Sequence, residues 1–333
     1  MKERINWIDW AKAAAVCTVV FCHLPQSQED FYFRYLQSCV ITVFFFLSGY
    51  LKKDRGSDRE NWRKYWRGLV VPYLLYNLVV YPYWLVKYYM LHGGMPDVSA
   101  TLRPVVGALL FQHENSFAEP LNGPLWYLPA ILLMHVTIDQ CRKTRLLHPV
   151  MITLCVLSFF LYAANKYWAF LPNLTPMGIF RRLPYYYIGY VMGRDRLLRS
   201  VSPWRDLLLC AGLLATSLVL FWWHLDEKVF LLHIALFYPV NLCFLFGVLS
   251  GCKLMDRVRW NMVTNLSVGT LVVIGLHTPV ISLVNVVTGH HTDVSAVVSY
   301  SWYEALLVTA VVVAALYPVI RLGRRYWPLL LGR

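Results

Sequence analysis

The residues of this chain that could do chemistry lie on its first apolar stretch, which runs from Trp7 through Asp9, Lys12 and a string of alanines and valines to His23. Lys12 and His23 are 11 residues apart, about three turns at 3.6 residues per turn, so they share a helix face, and Asp9 lies within about 40° of it. Ionisable groups on an otherwise apolar helix point into a bundle, because hydrocarbon costs several kcal/mol for each. Along the axis Lys12 and His23 stand roughly 16 Å apart. A cation at one end and an imidazole at the other suit an extended ligand with an anionic head and a reactive tip, the shape of a coenzyme A thioester. Imidazole, with an unperturbed pKa of about 6.5, is suited to general-base work near neutral pH. Plainer readings stand beside these. Lys12 reaches an aqueous interface along its alkyl stem with Asp9 as its i,i+3 neighbour, and His23 hydrogen-bonds a carbonyl at a helix end. Asp9 is read as the group that orients or neutralises Lys12.

The elements that must position this stripe are membrane helices. Of the 333 residues 58% are apolar and only 15% charged, and the mean hydropathy is +0.48; soluble domains carry about 25% charge. The pattern predicts an all-α polytopic membrane protein, one domain over 1–333, with about ten spans at roughly 7–24, 35–51, 69–91, 124–140, 150–171, 183–193, 206–224, 229–251, 266–287 and 302–320. The run 183–193 is short and extends backwards through Leu174–Arg182. The longer polar segments are 52–68 and 92–123.

The net charge of +13 invites a nucleic-acid reading, which its distribution opposes. With alternate loops assigned inside and outside, 24 of the 31 lysines and arginines fall inside, including the basic block from Lys52 to Arg67. That asymmetry predicts both termini in the cytoplasm and hence an even number of spans. No small-x-small site follows His23, so the first run is expected to stay as a helix rather than be cleaved. Six of the eight cysteines lie inside apolar runs and none forms C-x-x-C, so reduced side chains and no metal are expected. No repeat relates the two halves, in contrast to many transporters.

Several stretches together resemble membrane-bound acyltransferase family 3. Asp9 with Lys12-x10-His23 resembles its first-helix motif, where Arg usually stands in place of Lys12. Phe44-Phe45-Phe46-Leu47-Ser48-Gly49-Tyr50 resembles the aromatic Ser-Gly end of its second helix. Arg63 to Arg67 running into Pro72-Tyr73, Leu125-Trp126-Tyr127-Leu128, Leu183 to Tyr190, and Asn265 to Ser267 followed by His277 and Pro279 resemble its later motifs in order. Asp-x-x-Lys in the first helix is similar to the fucose 4-O-acetylase-like subgroup. Lysine offers phosphate a point charge where arginine offers a two-pronged fork.

The resemblance implies transfer of an acyl group, usually acetyl, from cytoplasmic acetyl-CoA to a sugar hydroxyl of a cell-surface or lipid-linked glycan in the bacterial inner membrane. His23 would deprotonate the acceptor, and Lys12, Arg63 and Arg67 would hold the anionic part of the acyl-CoA. Ser48, the backbone around Gly49, and Trp126 would face the tetrahedral oxyanion. The basic block is equally described by topology and by attraction to anionic membrane lipid, Trp126 by an interfacial aromatic belt, and His277, near Pro279, by a structural kink. His135, His233 and Glu304 carry no motif and are left without a role. The alternative function is a transporter or flippase in which Asp9, Lys12 and His23 form a substrate or proton path.

Overall fold

A computed structural model describes residues 4–27, 29–53, 57–111, 121–168, 175–195, 198, 201–289, 292–293, 296–297 and 299–332. The architecture is helical, with one two-residue antiparallel pairing, Thr292–Asp293 with Ala296–Val297. The helices are α1 (Asn6–Cys22), α2 (Phe31–Leu51), α3 (Asp58–Tyr65), α4 (Val71–His92), α5 (Val98–Leu109), α6 (Tyr127–Lys143) and α7 (Leu147–Trp168). They continue with α8 (Thr175–Asp195), α9 (Pro203–Asp226), α10 (Phe230–Leu254), α11 (Asn261–Val268), α12 (Thr270–Thr288) and α13 (Trp302–Tyr326).

Among the described residues, seven helical stretches are long and apolar enough to cross a membrane: α2, the rod 58–92, α7, α9, α10, α12 and α13. The chain is a multi-pass membrane protein. Each of the ten expected spans coincides with a helix, although α1 and α6 are short and α8 carries Arg181, Arg182 and Pro184 within it. Three boundaries differ from the expectation. The basic segment before residue 69 is helical from Asp58, started by a Ser57–Glu60 capping box that satisfies the first free amides. It runs into α4 through a π-helical turn at Trp66–Val70. Part of the segment 92–123 forms α5, capped by the Asp97 side chain on the Ala100 amide. The expected helix 266–287 is broken at Gly269, where any β-carbon would strike the Ile320 side chain.

α1 is the central element, packed by α2, α10, α11, α12 and α13. Its composition explains this place. Ala11, Ala13 and Ala15 are buried and small enough to let neighbouring backbones approach, while Trp7, Val16 and Val20 fill the remaining space. α9 lies at the periphery, with Trp204, Leu208, Val219 and Trp222 turned outward, as suits a lipid-facing surface.

The tightest pairing joins α2 to α8. A β-carbon on Gly49 would lie 2.0 Å from the Tyr186 carbonyl oxygen, one on Gly189 2.1 Å from that of Phe46, and one on Gly193 2.2 Å from that of Tyr50. Two aromatic-glycine segments far apart in the sequence are thus the two halves of one backbone-to-backbone contact. Buried polar bonds tie further helices together, such as Thr42 Oγ1 to Asn241 Oδ1 at 2.6 Å.

Candidate active site

α1 delivers Lys12 and His23 to opposite ends of the bundle. Lys12 lines a cavity of about 740 Å³ whose wall includes both Arg4 and the tail residues Leu331 and Gly332, so the two chain ends meet there. Arg4, Lys12, Lys52, Lys53 and Lys64 face it, with Asp9 as the one carboxylate among its described walls. This excess of cations gives the cavity a field that attracts polyanions.

Asp9 has partners beyond those the sequence suggested. Its carboxylate is held by the Arg4 guanidinium through Nε and Nη2 and accepts from Ser267 Oγ at 2.5 Å. Asp9 therefore ties the start of α1 to α11, and Arg4, which precedes α1, neutralises it. The reason is reach: an arginine at i−5 folds back over the first turn and presents two donors to two oxygens.

Lys52 is almost fully buried, with 2% of its side chain exposed. Its Nζ donates to Asp139 Oδ1 at 2.7 Å and to the Tyr65 hydroxyl at 2.8 Å, and Tyr65 donates to Asp139 Oδ2 at 2.6 Å. Beside this triad, the His135 ring lies 5.1 Å from that of Tyr65, and its Nδ1 pairs with the Tyr186 hydroxyl at 2.5 Å. His135 lines the cavity, a position that sequence reasoning left without a role. Its one signal was a histidine four residues before Asp139 on an otherwise apolar helix face.

Arg63 and Arg67 are exposed and stand outside the walls of this cavity, to which the same segment contributes Lys64 and Gly68 instead. The π turn, in which each residue advances less around the axis than in an α-helix, sits between the two halves of that rod. Ser48 does line the cavity and shares a 2.6 Å hydrogen bond with the Tyr127 hydroxyl, which donates onward to the Phe44 carbonyl. Gly49 faces α8, where its missing side chain is what the packing requires.

At the other end of α1, His23 follows the last helical turn and is exposed. Its Nδ1–H donates to the Val19 carbonyl at 2.7 Å, which leaves Nε2 as the bare, basic nitrogen. The His277 ring stands edge-on to it, with centroids 4.7 Å apart. His277 is fully buried, its Nδ1–H donates to the carbonyls of Val273 and Ile274, and its Nε2 has no partner among the described residues. Pro279 lacks an amide hydrogen, so the Gly275 carbonyl loses its helical donor; Asn122 Nδ2 replaces it at 2.7 Å. The kink and the polar site are thus one device, with Asn122 bracing the turn that carries His277. Trp126 follows on the same 3₁₀ turn, its ring 5.8 Å from that of Phe45.

The arrangement is a cationic, open cavity at one end of α1 and a pair of imidazoles, each with Nε2 unprotonated when neutral, at the other. Among the described residues no cluster of three or more His, Cys, Asp or Glu has the geometry of a metal site. No curated protein and no solved structure gives a match. The model of the acyltransferase domain matches residues 5–327, nearly the whole chain. This match spans both ends of the α1 stripe, and the chain belongs to the acyltransferase 3 family.

Proposed function

We propose that this membrane acyltransferase moves an acyl group, acetyl above others, from acyl-CoA to a hydroxyl of a cell-surface or lipid-linked glycan. The observation that carries the reading is the His23 ring, whose Nδ1–H is fixed on Val19 so that Nε2 is a base, standing on the same helix as a cavity lined by five cations. The diphosphate end of coenzyme A binds at Arg4, Lys12, Lys53 and Lys64, and its pantetheine arm follows α1 towards His23. His23 Nε2 takes the proton of the acceptor hydroxyl as that oxygen attacks the thioester carbonyl. The tetrahedral intermediate collapses, the carbon–sulfur bond breaks, and the coenzyme A thiolate receives the proton from His23. His277 positions His23 through their edge contact, and Trp126 is the oxyanion donor this reading retains, Ser48 standing instead at the cationic end of α1.

Counting α1, α6 and α8 as crossings gives ten. With that count, the excess of basic residues in alternate loops supports both termini and the cationic cavity facing the cytoplasm, where acyl-CoA resides. In this reading the chain lies in a bacterial inner membrane and works as the fucose 4-O-acetylase-like subgroup does. The test is acyl transfer or slow hydrolysis of labelled acetyl-CoA in proteoliposomes, comparing wild type with His23→Ala and Lys12→Ala. Turnover that is abolished by the first and that shows a raised donor KM in the second supports the assignment. If wild type neither binds nor consumes acetyl-CoA, the reading fails and the interior stripe becomes a transport path.

A further inference from the structure

Two adjacent arginines, Arg181 and Arg182, sit near the start of α8 among aromatic rings. The Arg181 guanidinium lies 3.7 Å from the Phe237 ring centroid and 4.9 Å from that of Tyr162. The Arg182 guanidinium is 5.2 Å from Trp126 and 6.0 Å from Phe45. Rings over the faces of a guanidinium leave its N–H donors free to act only in its plane, in the two-pronged geometry that fits a carboxylate or phosphate. Arg181 pairs with no carboxylate among the described residues, and its Nε is buried without a hydrogen-bond partner.

Two further unpartnered polar atoms surround it. The Tyr238 hydroxyl is buried with no partner among the described residues and within electrostatic reach of both arginines. His224 Nδ1 is likewise buried and unpartnered, within reach of Arg181 and Arg34. Cations at membrane depth are costly unless something neutralises them, and like charges side by side raise that cost.

Intervening residues connect the site to the histidine pair. Cys39 is within electrostatic reach of both Arg181 and Cys22, the residue before His23. Trp126, which covers Arg182, is four residues from Asn122, the brace on the turn of His277. We propose that Arg181, with Arg182 and the Tyr238 hydroxyl, binds an anionic group of the acyl acceptor, so that the acceptor is a carboxylate- or phosphate-bearing molecule anchored beside His23. The proposal deepens the acyltransferase reading, on which the word acceptor rests, whereas anion binding itself is measured without turnover.

The experiment is thermal unfolding of the purified protein in neutral detergent with four probes: polyprenyl phosphate, the matching polyprenol, glucuronate and glucose. Coenzyme A serves as a separate ligand. The expected result is an upward shift of several degrees with an anionic probe and none with its neutral counterpart. That shift is lost in Arg181→Gln while the coenzyme A shift remains, which also shows that the variant is folded. If Arg181→Gln does not fold, Tyr238→Phe, which removes one hydroxyl, should reduce the same shift. A response to polyprenyl phosphate identifies a lipid-linked acceptor, and a response to glucuronate a charged sugar. Equal shifts with anionic and neutral probes, or a shift undiminished in both variants, overturn the proposal. Absence of a coenzyme A shift in wild type would instead count against the acyltransferase reading and leave the anion result to be judged by itself.

Discussion

At the end of the bundle where the chain termini meet, five cations and one carboxylate surround a cavity of about 740 Å³. At the far end of the same helix two imidazoles meet edge to edge with hardly a charge in their immediate contacts. Where water enters, charges are tolerable and each can be satisfied by a partner or by solvent, so lysines accumulate. At the far end His277 is fully buried, where an unpaired charge costs several kcal/mol, and an imidazole serves there because it can be neutral and still basic. The cationic end suits binding and the imidazole end suits chemistry, and α1 holds them roughly 16 Å apart.

Substitutions can break this contrast. The largest effect is expected at the imidazole end: His23→Ala should lower kcat by about 10³-fold or more while leaving coenzyme A binding intact, read by single-turnover kinetics and ligand-induced stabilisation. If coenzyme A binding falls with activity, the two ends are not separate in function.

At the cationic end the largest effect is structural. Lys52→Met leaves Asp139 buried without its cation, held only by the Tyr65 hydroxyl, and should cost about 3–5 kcal/mol of stability, seen as a lower thermal midpoint in detergent. The double variant Lys52→Met/Asp139→Leu should recover most of it. A single variant as stable as wild type would mean that water already reaches this pair.

Lys12→Ala removes one cation from the cavity and should raise the donor KM on the order of tenfold with kcat nearly unchanged. Added salt should narrow the difference. The smallest effect sharpens the boundary of the cavity. Arg63→Gln and Arg67→Gln, exposed and outside its walls, should each leave donor KM within about twofold, as surface charges do. A rise equal to that of Lys12→Ala would move the donor site onto the outer face of α3.

Much of this was legible in the sequence, because a membrane imposes a one-dimensional rule: each span must be long, apolar and internally bonded. The positions of the helices, the placing of Asp9, Lys12 and His23 on one helix, and the family all follow from periodicity and ordered motifs along the chain. His277 could be noticed for its proximity to Pro279. Its contact with His23 could not, since it depends on how α12 crosses α1. Gly49 looked like a place for a backbone donor and is instead where α8 presses its backbone. His135 carried no motif and Arg4 was one basic residue among many, yet both line the cavity.

By itself, then, the sequence determined which residues lie on one helix face and how far apart they stand, because helical geometry is local and nearly invariant. Only the tertiary structure decided which faces meet: Arg4 and Ser267 on Asp9, Lys64 rather than Arg63 or Arg67 in the cavity wall, His277 against His23. In lipid, helices are equally apolar outside, so their pairing is set by close packing and buried hydrogen bonds, and these depend on shapes brought together from distant parts of the chain.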